Sequence, residues 1–192
     1  MSSTPKKFEL TAETRMAPDG TTLYRIRALV SFGTVVAGVL GGFVASEANL
    51  SHGGDAWVSG NARVFGNAQV YGNAWVYGDA RVYGNARVFG NAQVYGNAQV
   101  YGNAWVFGNA WVYGNARVYV AISCATRSDL YTFLVTPDKD GVVRIIAGCR
   151  YFTIAEARAH WLSTRGGTPL GEESLAIVDH LERIARIRGW LQ

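Results

Sequence analysis

Side chains able to act as acids, bases, nucleophiles or metal ligands are scattered along this 192-residue chain, and few of them stand at a spacing that suggests a site. Glu156 and His160 stand four residues apart on a predicted helix, where they could share a proton or a metal ion. The run Thr153-Ile-Ala-Glu156 is a capping box, in which the glutamate caps the first turn of a helix. We therefore predict that Glu156 is a helix cap and that His160 is a surface residue.

Two further groups of residues have simple structural interpretations. Asp138-Lys139-Asp140-Gly141 begins like a calcium loop, but the third oxygen ligand and the distal glutamate are absent, so we predict a hairpin turn. Cys124 and Cys149 provide neither a disulfide framework nor a zinc tetrad. We expect both to be reduced thiols that pack across strands.

Residues 54–119 lack the side chains that catalysis needs. This segment contains no His, Cys, Glu or Thr, and its only serine is Ser59. A general base, a nucleophile and metal ligands are therefore missing from it. We expect a protein that is not an enzyme, with no catalytic residues, no metal site and no cofactor.

The same segment is a six-residue repeat, Gly-Asn-Ala-x-Val-aromatic, with aspartate replacing asparagine at Asp55 and Asp79. Ala and Val alternate with x and the aromatic residue, so each pair shares one face of a short strand. Gly-Asn marks a corner because both residues tolerate positive φ. Eleven of the 23 glycines occupy these corners. A strand and a corner repeated in this way predict a β-solenoid.

The repeat resembles that of the hexapeptide-repeat left-handed β-helices, in which an aliphatic and a small residue point inward. Valines from Val58 to Val118 fit the aliphatic position, and alanines from Ala62 to Ala116 fit the small position. One difference is that Tyr or Phe follows the aliphatic residue, where that family usually has a small residue. The resemblance implies a mainly β fold, a left-handed triangular solenoid with three hexads in each 18-residue coil.

A wider stretch, about residues 8–120, resembles accessory hexapeptide-solenoid proteins encoded by tailed phages and prophages. The C-terminal runs Gly148-Cys149 and Thr153-Ile-Ala-Glu156-Ala157 are similar to a small module of such phage proteins. This resemblance implies a phage origin and supplies no reaction. Besides the GNAxVYG run, it is carried by Thr22-Leu23-Tyr24-Arg25-Ile26-Arg27-Ala28-Leu29, Phe32-Gly33, Leu40-Gly41-Gly42-Phe43-Val44, Ser46-Glu47 and Asn49-Leu50-Ser51.

In an 18-residue coil, the outward x and aromatic positions stack into columns along the solenoid. One column contains arginines beside aromatic rings, which could bind phosphates, nucleotides or an acidic protein. Alternatively, the arginines only solvate a flat sheet face and pair with the rings. A second column contains tryptophans. The candidate binding residues are Arg63, Arg81, Arg117, Tyr83, Tyr101, Trp57, Trp75 and Trp111.

The outward aromatic residues are too numerous for three faces that all remain in water. We expect cover from the terminal segments of the chain or from sister subunits in a dimer or trimer. A ligand or a foreign partner is the alternative.

The flanks of the repeat predict three parts: N-terminal strands or a cap in residues 1–32, the solenoid in 33–120 and an α+β domain in 121–192. In the first part, two strands flank a turn at Ala17-Pro18-Asp19-Gly20. In the third, a hairpin is followed by two helices. The predicted strands are 8–10, 22–29, 131–135 and 142–147. The first helix is predicted to begin at the Thr153 capping box and to end near Arg165-Gly166-Gly167, and the second to run from about Glu172 to Arg188.

Residues 28–46 contain no charge and are long enough to span a bilayer. The inward phase of the hexad nevertheless continues backward through Leu50, Ser46, Val44 and Leu40. A membrane helix has no reason to keep this phase, so we predict a degenerate first coil and no membrane insertion. With no signal peptide, we expect a cytoplasmic protein of a bacterial host.

These observations favour a non-enzymatic, phage-type interaction protein, a rigid solenoid that binds a host or phage protein and inhibits a host defence component. The alternative is a module that binds or sequesters a nucleotide or nucleic acid through the arginine and aromatic columns. The net charge of +4 is too small to decide between them. An acyltransferase-like enzyme is the least favoured hypothesis.

Overall fold

The structure, a computed structural model, describes residues 6–114, 116–118, 123–138, 140–148 and 150–191. The N-terminal elements are β1 (Phe8–Met16), β2 (Thr22–Ala28), β3 (Leu40–Val44) and a 3-10 turn (Glu47–Asn49). The solenoid strands are β4 (Trp57–Val58), β5 (Arg63–Val64), β6 (Gln69–Val70), β7 (Trp75–Val76), β8 (Arg81–Val82), β9 (Arg87–Val88), β10 (Gln93–Val94), β11 (Gln99–Val100), β12 (Trp105–Val106), β13 (Trp111–Val112) and β14 (Arg117–Val118). The C-terminal elements are β15 (Ser123–Thr126), β16 (Thr132–Pro137), β17 (Val143–Ala147), β18 (Arg150–Thr153), α1 (Ile154–Arg165) and α2 (Pro169–Ile187).

The solenoid strands form three sheets around one core. One sheet has the order β1-β2-β3-β5-β8-β11-β14, and the others have the orders β13-β10-β7-β4 and β12-β9-β6. Each strand from β4 to β11 pairs in parallel with the strand 18 residues later, as Arg63 does with Arg81 and Val64 with Val82. This pairing confirms the predicted β-solenoid and its 18-residue coil.

The inward alanine and valine columns fill the interior. From Ala62 to Val118 every residue of these two columns is at most 2% exposed. Burial of a valine side chain contributes about 1.5–3 kcal/mol before the entropy of ordering the chain is subtracted. The core is therefore a repeated contact between identical residues on successive coils.

The corners show why the repeat needs glycine and asparagine. The repeat glycines have φ between 64° and 71°, a region that disfavours side chains. A Cβ at Gly90 would also lie 2.9 Å from the Gly108 nitrogen on the next coil. The asparagines that follow form ladders, in which Asn73 Nδ2 donates to Asn91 Oδ1 at 3.2 Å and Asn91 Nδ2 donates to Asn109 Oδ1 at 3.1 Å.

The coil before the perfect repeat is present, but its predicted register is wrong. The hexad phase predicts Val44 and Leu50 at alanine positions. In the structure, Val44 pairs with Val64 and Leu50 with Val70, both 20 residues later. The bend at residues 51–55 accommodates the two additional residues, so both side chains enter the valine column.

The uncharged stretch 28–46 is not a helix. It contains the end of β2, an isolated bridge between Phe32 and Val35, and β3, which pairs with both β2 and β5. Within the described residues, no helix combines the length and the apolar character needed to cross a membrane.

The N-terminal segment closes one end of the solenoid. Lys7 Nζ donates hydrogen bonds to the carbonyl oxygens of Gly54 and Ala56, at 3.1 and 2.8 Å. Asn49 Nδ2 donates in the same way to the carbonyls of Gly66 and Ala68, at 3.0 and 2.8 Å. Backbone amides of β3 and of the segment after it bind further carbonyls of the first coil. These groups take the place of a preceding strand.

The C-terminal part is a sheet with the order β15-β16-β17-β18 that lies between the solenoid and the two helices. Leu134 and Ile146 belong to the solenoid core, whereas Phe133 and Ile145 pack with the helices. The predicted hairpin is confirmed by antiparallel pairing of β16 with β17, and the capping box of α1 is present. Strands β15 and β18 are not predicted by the sequence, and α2 begins three residues earlier than expected, with Pro169 in its first turn.

An arginine column as the candidate functional site

Three arginines lie in one column on the outward face of the seven-stranded sheet. Arg63, Arg81 and Arg117 are the first residues of β5, β8 and β14, and Gln99 of β11 pairs with both Arg81 and Arg117. We call Arg63, Arg81 and Arg117 the arginine column. Adjacent strands are about 4.8 Å apart, so the column follows the solenoid axis over three strand spacings, about 14 Å.

The N-terminal hairpin extends this basic face. Phe43 pairs with Arg63 and therefore shares its face. The guanidinium carbons of Arg15 and Arg25 lie 4.6 and 5.4 Å from the Phe43 ring centre. Arg25 is neutralised by Glu13 at 2.9 Å, whereas Arg15 forms no ion pair with a described carboxylate and donates to the Asn61 amide oxygen at 3.4 Å.

The arginine column has no acidic partner among the described residues. None of its members is within salt-bridge distance of a described carboxylate. Burial lowers the pKa of Arg63, and the positive charges of Arg81 and Arg15 lower it further, while Asp79 opposes the shift. Guanidinium groups of like charge are thus held near one another, with no ion pair to a described carboxylate and only a longer-range opposing contribution from Asp79.

A ladder of aromatic rings, Phe65, Tyr83 and Tyr101, runs beside the arginine column. Ring centres are 5.0 Å apart between Phe65 and Tyr83 and 5.1 Å apart between Tyr83 and Tyr101, with interplanar angles of 4° and 7°. The Tyr83 hydroxyl donates to Gln99 Oε1 at 3.3 Å. Burial raises the pKa of Tyr83, with a further contribution from Tyr101. The rings therefore cover each other's faces and expose mainly their edges.

The three predicted tryptophans do not form one exposed surface. Trp57 is only 1% exposed, so its prediction as an outward binding residue is wrong. The N-terminal segment covers it: the Phe32 ring packs edge-on against it at 5.4 Å, and Gly41 lies against its ring. Trp75 is half-buried, and Trp111 is 48% exposed.

The outward aromatic rings cover much of their apolar surface from water by stacking on one another. Tyr77 and Tyr95 stack at 4.7 Å, and Tyr95 and Tyr113 stack at 4.6 Å. Phe65 is also covered by residues of the N-terminal hairpin, including Leu23. Tyr119, the expected next ring of the Phe65 ladder, lies outside the described residues. Association into a dimer or trimer stays a prediction.

Glu156 and His160, the other candidates for acid–base or metal chemistry, make contacts that stabilise the local structure. The Glu156 carboxylate accepts hydrogen bonds from the backbone and side chain of Thr153, as a helix cap does. The His160 ring lies 5.0 Å from Phe152 and 4.8 Å from Trp161, and burial, followed by the charge of Arg150, lowers its pKa. No set of three His, Cys, Asp or Glu among the described residues is placed to hold a metal ion.

The predicted turn at 138–141 is confirmed, and the predicted thiol contact is not described. Asp138 Oδ1 accepts hydrogen bonds from the backbone amides of Asp140 and Val142, both at 2.9 Å, and Asp138 Oδ2 binds Arg144 at 2.9 Å. Lys139, Cys149 and the side chain of Cys124 lie outside the described residues.

Sequence reasoning missed a cleft of about 560 Å³ between β13 and the connection from β15 to β16. Its lining includes Trp111, Asn109 and Leu130. The sequence predicts Trp111 as a binding residue, but no motif marks Leu130, which lies in an ordinary turn sequence. Only the three-dimensional approach of the C-terminal sheet places the two side chains in one cleft.

Comparison with known proteins supports the solenoid. No curated protein sequence matches the chain at a significant level. Residues 68–82, 80–96, 92–106 and 98–113 each match the family model described as YdcK Beta solenoid repeat. Residues 68–113 are thus identified from their sequence as a β-solenoid repeat similar to that of the YdcK family, in agreement with their fold.

Proposed function

We propose that the chain is a non-enzymatic binding module whose arginine column takes an acidic surface of another protein. The observation that carries the proposal is the absence of a described carboxylate partner for Arg63, Arg81 and Arg117. A partner that brings carboxylates to this face would supply the compensation that the solenoid does not. Arginine suits this role because its planar guanidinium binds carboxylates in a bidentate manner.

The aromatic ladder favours a protein over a nucleic acid. Single-stranded nucleic acids are bound by stacking of bases on exposed ring faces. In the ladder those faces are occupied, because Phe65, Tyr83 and Tyr101 stack on one another at 5.0 and 5.1 Å. A flat surface with arginines and ring edges instead matches the composition of protein interfaces, which are enriched in Arg, Tyr and Phe.

The biological setting belongs to the same proposal. The sequence resembles accessory solenoid proteins of phages and prophages, so we propose a phage-encoded protein that acts in the cytoplasm of a bacterial host. The partner would be a host or phage protein, and inhibition of a host defence component is the role we favour. A homo-oligomer would present several copies of the basic face to the partner.

The test uses the full chain and two triple variants with equal changes of charge. Arg63→Glu/Arg81→Glu/Arg117→Glu reverses the column, and Arg87→Glu/Arg150→Glu/Arg183→Glu reverses three exposed arginines outside it. Binding of poly-L-glutamate and of single-stranded DNA is measured by calorimetry at two salt concentrations.

We expect wild type and the control triple to bind poly-L-glutamate in a salt-dependent way, and the column variant to lose about tenfold or more in affinity. Equal binding by all three proteins would overturn the proposal, as would no binding by wild type. Column-dependent binding of DNA without binding of poly-L-glutamate would replace it with the nucleic-acid hypothesis.

A further inference from the structure

The two ends of the solenoid differ in the hydrogen bonds made by their outermost strands. At the N-terminal end, Lys7, Asn49 and β3 donate hydrogen bonds to the carbonyls of the first coil. At the C-terminal end, the sheet β13-β10-β7-β4 ends on β13, beside which the described residues place no further strand. This strand is an edge, and an edge strand is a template for pairing with another chain.

The preceding coil, which contains β10, shows which backbone groups of β13 lack a hydrogen-bond partner. The backbone amides of Asn91 and Gln93 each donate at 2.8 Å to carbonyls of the next coil, those of Gly108 and Ala110. Asn109 and Trp111 occupy the equivalent positions one coil later. Within the described part of the chain, neither backbone amide donates a hydrogen bond. The Trp111 carbonyl points to the same side of the strand as its amide, so the edge offers both a donor and an acceptor.

The cleft lies directly at this edge. Its lining includes Asn109, Trp111 and Tyr113 on the solenoid side, with two residues of the preceding coil, and residues 129–132 on the other side. Its volume of about 560 Å³ falls within the range of sites that bind ligands. The cleft is therefore bounded by an unpaired strand edge on one side and by a loop on the other.

Leu130 is an independent sign of function in the same cleft. It is the only non-glycine residue among those described with φ in the left-handed region, at 67°, and it is 70% exposed. The positive φ is unfavourable for a leucine, and strained residues concentrate at binding sites. Its side chain and the 48% exposed Trp111 give the cleft two apolar contacts.

We infer that this cleft binds an extended peptide segment of a partner protein, which adds a strand to β13. Main-chain hydrogen bonds to Trp111 would fix the peptide, and a large apolar side chain of the peptide would lie between Trp111 and Leu130. This site is separate from the arginine column and does not depend on the function proposed for it.

The cleft fits a single strand better than the other occupants. A second copy of the chain would have to bring its own β13 edge, but that edge lies within the equivalent cleft beneath its own C-terminal sheet. A small anion would find no Lys or Arg in the described lining of the cleft, and Arg127, the cation beside Asp129, binds that carboxylate through two hydrogen bonds at 2.8 and 2.7 Å.

The experiment selects peptides from a random library displayed on mRNA against the full-length protein. Selected peptides are synthesised with and without N-methylation at alternate residues, which removes main-chain pairing and keeps the side chains. Binding is then compared for wild type, Trp111→Ala, Leu130→Gly and the control Trp105→Ala. Trp105 is an equally exposed tryptophan on β12, outside the cleft.

We expect peptides that lose about tenfold or more in affinity with Trp111→Ala, with Leu130→Gly or on N-methylation, and that keep their affinity for Trp105→Ala. Leu130→Gly should not lower the stability of the protein, because glycine adopts positive φ without strain. This variant therefore separates loss of binding from loss of folding.

Three outcomes would overturn the inference. The first is that no peptide is enriched on wild type over Trp111→Ala. The second is that the selected peptides tolerate N-methylation. The third is a concentration-dependent dimer, seen by sedimentation, that Trp111→Ala abolishes and Trp105→Ala keeps, because the occupant would then be a second copy of the chain.

Discussion

Stacking of the glycine corners gives a quantitative test of the coil. In Gly90→Ala the new Cβ would lie 2.9 Å from the Gly108 nitrogen, at a backbone φ of 71°. In Gly108→Ala the φ is nearly the same, 67°, but no atom lies within 4 Å of the new Cβ. The two variants therefore share the cost of a left-handed alanine, about 1–2 kcal/mol, and differ in the contact with the next coil.

The contact should add the cost of overpacking, about 1–3 kcal/mol, to Gly90→Ala alone. We expect losses of about 2–5 kcal/mol for Gly90→Ala and about 1–2 kcal/mol for Gly108→Ala, measured by urea unfolding followed by circular dichroism. Equal losses for the two variants would refute the close approach of successive corners and with it the 18-residue coil.

Two further predictions concern the closed N-terminal end. Burial lowers the pKa of Lys7 to about 8 from its ordinary value of 10.5, with Asp55 opposing the shift. An NMR titration of the labelled lysine amine should therefore have its midpoint near 8. A midpoint at 10 or above would contradict the burial of this amine. Since the unfolded chain keeps this proton up to its higher pKa, the unfolding free energy of wild type should rise relative to Lys7→Gln as the pH increases from about 8 to 10.5. Asn49→Leu removes the donor from the buried carbonyl of Ala68, at about 1–3 kcal/mol, and from the partly buried carbonyl of Gly66. It should therefore destabilise the fold more than Asn67→Leu, which removes one exposed ladder bond. Similar losses in urea unfolding would show that the cap contributes little.

The hexad made the solenoid itself predictable. Alternation of Ala and Val with outward residues defines the inward face, and Gly-Asn defines the corner, so the columns of Arg63, Arg81 and Arg117 follow from position alone. The flanks were predictable where local signals are strong, as at the capping box of α1. Strands β15 and β18 have no comparable signal, because they form by pairing with distant strands rather than from local propensity.

The differences at the candidate sites arise from contacts between distant segments. Trp57 has the same place in its hexad as Trp111, yet the N-terminal segment buries Trp57, while Trp111 stays exposed. The first-coil register depends on how many residues the bend at 51–55 accommodates, which the hexad phase does not determine. Leu130 gains its place in a cleft only through the docking of the C-terminal sheet.

Whether the arginine column is a binding surface or a solvating one is tested most directly by the stability of Arg81→Gln at low and at high salt. Glutamine already stands at the equivalent strand position between Arg81 and Arg117, as Gln99, so Arg81→Gln fits the sheet and removes one of the charges that lower the pKa of Arg63. If the arginines are kept for a partner, the variant should be at least as stable as wild type at low salt, and the difference should shrink as salt screens the repulsion. A clear loss of stability at low salt would contradict the account, because it would show that the column supports the solenoid itself.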